Sequence, residues 1–169
     1  MFFGHDVGTG LIYSDSNVMV TAIENTHFDF QKIPTSARQK SYSYRFETPN
    51  RVIVFTGDTG PSEALVGLAK GADLLVSEAN SIEQRMQDLI RSGQWQVMTP
   101  EEQVRIKGQM AEGHLSTEDV GKMAARAGVK TVVLTHLTWK ADDDYSTWAD
   151  EVKKHFSGPV LIAKDLKEF

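Results

Sequence analysis

A chain of 169 residues with 40% apolar side chains and a net charge of −5 has the size and composition of one compact domain, residues 1–169. No run approaches the roughly 20 apolar residues that a membrane-spanning helix needs, and zero cysteines exclude disulfides, thiol nucleophiles and thiolate metal sites. The acidic excess disfavours a general nucleic-acid binder, whose footprint is a basic stripe. The N-terminal Met1-Phe2-Phe3-Gly4-His5-Asp6 has neither the basic nor the apolar stretch of an export signal, which makes the cytoplasm the default compartment, a leader outside this sequence aside.

In chain order, residues 18–23 and 41–47 are rich in β-branched and aromatic side chains and are expected to be strands of an early β layer. Residues 51–55 form a short apolar strand that stops at Thr56-Gly57-Asp58-Thr59-Gly60, with Pro61 suited to a first helical position. Residues 74–76 read as a buried strand and 82–90 as a polar helix. Thr99-Pro100-Glu101-Glu102 has the spacing of a capping box, opening a helix to about residue 111. Ser116 or Thr117 caps a further helix through Ala127, which Gly128 stops. A strand over 130–134 leads into Thr135-His136. A helix over 148–156 and a strand over 160–163 complete an alternating α/β pattern.

Two polar residues stand where such strands end. The glycines around Asp58 permit a tight turn that presents its carboxylate at a sheet edge, where α/β folds bind ligands; an Asp capping the next helix is the alternative. His136, at the end of its strand, has the chemistry to ligate a divalent metal with Asp58 or to serve a structural role. His114, just before a helix N-terminus, suits proton donation or is a loop histidine. His27 and His5 have no partner at ligand spacing, and His155 sits where a helix C-terminal dipole favours a cation. The run Asp142-Asp143-Asp144 reads as a solvated loop. The Gly57–Gly60 turn as an anion cradle lacks both the Lys-Ser/Thr of a P-loop and the G-x-G-x-x-G spacing.

Taken in order, four segments resemble the C-terminal portion of the metallo-β-lactamase-fold hydrolases, in the branch with ribonuclease Z and arylsulfatase-like enzymes. They are Tyr42-Ser43-Tyr44-Arg45-Phe46 before the strand leading to Gly57-Asp58-Thr59; Gly71-Ala72-Asp73 through Ser77-Glu78-Ala79; Gly113-His114-Leu115-Ser116-Thr117; and Thr131-Val132-Val133-Leu134-Thr135-His136-Leu137. The resemblance implies an αββα sandwich holding two divalent metal ions, usually zinc. By the same resemblance Asp58 bridges the metals, His136 is the last histidine ligand, and His114 is the catalytic group assisting the leaving group. Asp73 and Glu78 would orient ligands from behind, or serve packing and capping.

The family's His-x-His-x-Asp-His motif is absent, since no two of the five histidines lie two residues apart. Only part of the metal shell is therefore expected, on a fold lacking its N-terminal portion. Ser77-Glu78-Ala79-Asn80 in place of His-Glu-Ala-Thr, together with the acidic balance, argues against transfer-RNA processing. The leading expectation is a metal-dependent hydrolase of a small-molecule ester-like substrate (phosphodiester, sulfate ester or lactone) with no membrane partner and nucleic acid disfavoured. The alternative is a non-catalytic half-fold that pairs with its own copy or a complementing N-terminal half. The segment 82–112 is expected over or beside the pocket.

Overall fold

The computed structural model describes residues 4–138 and 144–168. Among these residues, seven strands lie in sequential order in one sheet: β1 (Gly10–Ser14), β2 (Met19–Glu24), β3 (Tyr42–Glu47), β4 (Val52–Phe55), β5 (Leu74–Ala79), β6 (Thr131–Leu137) and β7 (Val160–Ile162). The first three pairings are antiparallel and the last three parallel. Each parallel step needs a crossover. These contain α1 (Glu63–Ala69), then α2 (Ile82–Arg91), α3 (Gln94–Val97), α4 (Pro100–Glu112) and α5 (Thr117–Ala127), and finally α6 (Ser146–Lys153).

The core follows from strand alternation. Val54, Leu75, Val132 and Val160 are in register across the four parallel strands, so their side chains share one face. Leu65 and Leu68 of α1, Val120 and Ala124 of α5, and Trp148 and Val152 of α6 pack onto that face in a single apolar cluster. The alternate set presents Phe46, Ile53, Phe55, Leu74, Val76 and Leu161 to the other side. These six stand outside the cluster, and Phe55 is 41% exposed.

The expected α/β class holds, and β2 and β3, expected in an early β layer, are hydrogen-bonded through β3 to β4 of the one sheet. β1, a short edge strand, and α3, one turn after Gly93, were not expected. Pro61 does not open α1. Ser62 is its cap, and its hydroxyl accepts from Leu65 N. The capping boxes of Thr99 with Glu102 and of Ser116 with Asp119 both form.

Asp73 is not behind the candidate site. It stands at the N-terminal end of β5, where it accepts from Val52 N and Lys130 Nζ, each at 2.7 Å, and so ties together the starts of three strands. The Lys130 hydrogen bond, followed by that of Val52, holds its carboxyl below the ordinary value. A depressed folded-state pKa contributes stability above the unfolded value of about 3.9 and loses it as pH falls through the folded value. Asp73→Asn is therefore expected to lower the thermal midpoint at pH 6, with the gap narrowing as pH falls below about 3.9. A gap independent of pH would show that the carboxylate's charge plays no part.

Candidate functional site

β4, β5 and β6 are parallel, so their C-terminal ends share one edge of the sheet, where ligands of open α/β sheets bind. The chain leaves β4 through Thr56 and turns at Gly57, which has φ 58°; a Cβ there would also lie 2.9 Å from Tyr42 O. Glycine is thus required by conformation and by space. Gly60 passes beneath the end of α4, where a Cβ would come within 2.0 Å of Glu112 O. Between the two, Asp58 projects a side chain that is 37% exposed. It caps no helix, since Ser62 performs that function for α1.

His136 reaches Asp58 through an irregularity of β6. Glu78 pairs with Thr135 and Ala79 with Leu137, so His136 is the extra residue of a bulge. Its φ of 47° lies in the left-handed region, uncommon for a residue with a side chain. Bulges re-aim a side chain that regular alternation would direct elsewhere. Here His136 Nε2 stands 3.3 Å from Asp58 Oδ2.

His114 lies in the α4–α5 connection, anchored by Asn80 N donating to Leu115 O. Its Nδ1 is 2.7 Å from Oε2 of Glu78, a side chain only 1% exposed. Glu78 Oε1 accepts from Thr59 N at 2.7 Å, and Oε2 also accepts from Asn80 Nδ2 at 3.0 Å. Three donors thus compensate the burial of this carboxylate. Burial opposes protonation of His114 more than any other single effect. The hydrogen bond and charge of Glu78, with the charge of Asp58, outweigh it and hold the imidazole above its ordinary value of 6.5.

His27 belongs to the same cluster, contrary to the expectation that it lacks a partner. It follows β2 and is 8% exposed, and its ring meets that of His114 edge-on at 4.8 Å between centroids. Its Nδ1 is 2.7 Å from Gly113 O, a carbonyl that can only accept, so Nδ1 carries the proton and Nε2 offers a lone pair. Asn25 fixes this loop: its Oδ1 accepts from His27 N and its Nδ2 donates to Thr56 O. Ligand atoms of His27, Asp58 and His114 lie within 4.8 Å of one another. Nitrogen and carboxylate donors without thiolates suit a borderline divalent cation such as zinc.

Of the remaining sequence candidates, Asp142 and Asp143 fall outside the described residues, and His155 follows α6. Within segment 82–112, Ile82 and Met110 line a cavity whose wall includes His114.

Residues 4–137 match the family model described as "Beta-lactamase superfamily domain". Ribonuclease Z of Myxococcus xanthus is 32% identical over 117 residues, which are 69% of this chain and 32% of that protein. The metallo-β-lactamase fold protein YhfI from Bacillus subtilis superposes with a TM-score of 0.60 at 22% identity, over 92% of this chain and 50% of that one. The short form of human tRNase Z gives 0.54 at 19% identity, over 93% and 44%. At these identities the two structures establish a common fold. The chain spans about a third of the length of the curated relatives it matches.

The relatives correct one expectation. A small-molecule substrate with nucleic acid disfavoured does not stand beside a 32% identical ribonuclease. Net charge misled because it sums the whole chain, whereas at a metal centre cations can supply much of the positive charge that meets a phosphate.

Proposed function

The chain belongs to the β-lactamase superfamily, and from that premise we propose that it carries one part of the metal centre, and the proton-transferring group, of a phosphodiester hydrolase acting on RNA. The observation that carries this reading is the convergence of Asp58, His136, His27 and the His114–Glu78 pair at one edge of the sheet. The ribonuclease relatives favour RNA as the substrate class. In this reading Asp58, His136 and His27 are ligands, and zinc is the metal. When bound, the metal supplies a water that loses its proton near neutral pH and neutralises charge on the phosphate.

His114 performs the proton transfer. Its Nδ1–H donates to Glu78, which fixes the tautomer and the ring plane and leaves Nε2 to exchange a proton with the leaving oxygen. Glu78, held by Thr59 and Asn80, orients the imidazole without touching substrate.

The test is scission of a 5′-labelled single-stranded RNA by the chain supplied with zinc or manganese, with bound metal measured on the same samples. Scission should stop with a chelator, and His114→Ala should slow it by about 10²–10⁴-fold at unchanged metal content. Two ions bound per chain without scission would overturn the reading. The apolar face carrying Phe46, Phe55 and Val76 favours a second reading, a half-fold that associates with another chain. A strictly monomeric chain by light scattering at high concentration would count against it.

A further inference from the structure

Beside the acid-base pair lies a cavity of about 270 Å³. His114 and Asn80 form its wall toward the candidate site, Ile82 and Trp148 are apolar, and Asp119 and Glu151 stand toward α5 and α6. Among the described residues, no lysine or arginine lines it. Both carboxylates are fixed through one oxygen: Asp119 Oδ2 accepts from Ser116 Oγ at 2.6 Å, and Glu151 Oε2 from Thr117 Oγ1 at 2.6 Å. Each keeps a second oxygen with acceptor capacity.

Resting on the phosphodiesterase reading above, we propose that this cavity is the subsite for the leaving nucleoside of the RNA. His114 connects the two regions. The imidazole that protonates the leaving oxygen also forms part of the cavity wall, so the group attached to that oxygen extends into the cavity. The two carboxylates of the described lining repel a phosphate there. It suits a neutral group with an apolar body and several donors. Ribose hydroxyls and the exocyclic amine of a base can donate to Asp119 and Glu151, while Ile82 and Trp148 cover the flat ring. The volume is at the small end of ligand pockets and fits one nucleoside rather than two.

The test is an NMR titration of the whole chain with each of the four ribonucleosides, and separately with inorganic phosphate, following the Trp148 indole N–H and the His114 ring. A nucleoside should shift both signals saturably, with a Kd on the order of 1 mM, while phosphate leaves Trp148 unmoved. Glu151→Gln, which retains an acceptor for Thr117, should weaken nucleoside binding about tenfold with an unchanged thermal midpoint. The proposal is overturned if no nucleoside moves Trp148, if phosphate moves it equally, or if Glu151→Gln binds as wild type. The titration needs neither metal nor turnover. Nucleoside binding without RNA scission would therefore refute the activity alone, and scission without nucleoside binding would refute the subsite alone.

Discussion

Asp58→Ala is expected to leave the chain unable to retain zinc through gel filtration, with affinity reduced at least about 10²-fold, whereas wild type elutes with metal bound. Losing an outer-shell partner of a metal ligand costs 10–100-fold, so losing the ligand sets a higher floor. Among the described residues, Asp58 is also the only carboxylate in the cluster of potential ligands, because Glu78 is engaged by three donors and buried. His136→Ala should weaken binding similarly, while His114→Ala retains metal. Stability should hardly change in Asp58→Ala. The side chain caps no helix, and a partly exposed contact with His136 contributes at most about 1 kcal/mol. Elemental analysis of the eluted proteins is the check. Wild-type zinc affinity in both Asp58→Ala and His136→Ala would dismiss the ligand assignment.

Glu78→Ala is expected to carry the largest stability cost of any single change in this region, about 3 kcal/mol in urea unfolding. Glu78 is 2% exposed as a residue, and its carboxylate accepts from Thr59 N, Asn80 Nδ2 and His114 Nδ1. Truncation strips those donors of their acceptor and opens a void between the Asp58 loop and the α4–α5 connection. Water reaches His114 more readily than Thr59, which is 0% exposed, so the unsatisfied Thr59 N–H makes the main contribution. Glu78→Gln should recover part of the loss, since its one remaining oxygen still accepts from Thr59 N. A cost below about 1 kcal/mol for Glu78→Ala would mean that the loop and the connection are held together by other contacts.

Local chemistry was the most legible part of this sequence. The capping box at Thr99 lies within four residues of chain and formed as read, and of the two caps read for the next helix Ser116 is the one used. Asp58, His136 and His114 could be singled out because each adjoins a strand or helix end, and the structure brings all three together. His27 was missed because its place depends on direction. β2 reaches β4 through two reversals and so points the same way, delivering its C-terminal end to the same edge. Reading residues 18–23 only as a strand of an early β layer left that direction unread. Asp73 failed for the converse reason: it adjoins a strand too, but at the opposite end. Nothing in Thr135-His136-Leu137 announces the bulge that turns His136 toward Asp58. That register follows from how β5 and β6 pair, which no local pattern encodes.

The sequential strand order also bears on how fast the cluster can assemble. The antiparallel meander from β1 to β4 closes through connections of modest length, but the β5–β6 pairing must wait for the whole segment holding α2 to α5 to be enclosed. Loop-closure entropy and high contact order make such non-local parallel pairing slow. His27 and Asp58 are in place once the meander has formed and β4 has turned, whereas His114 and His136 arrive only with the late crossover. In a stopped-flow refolding experiment, capture of a metal ion should therefore trail the earliest gain of β structure, and its rate would time the arrival of β6.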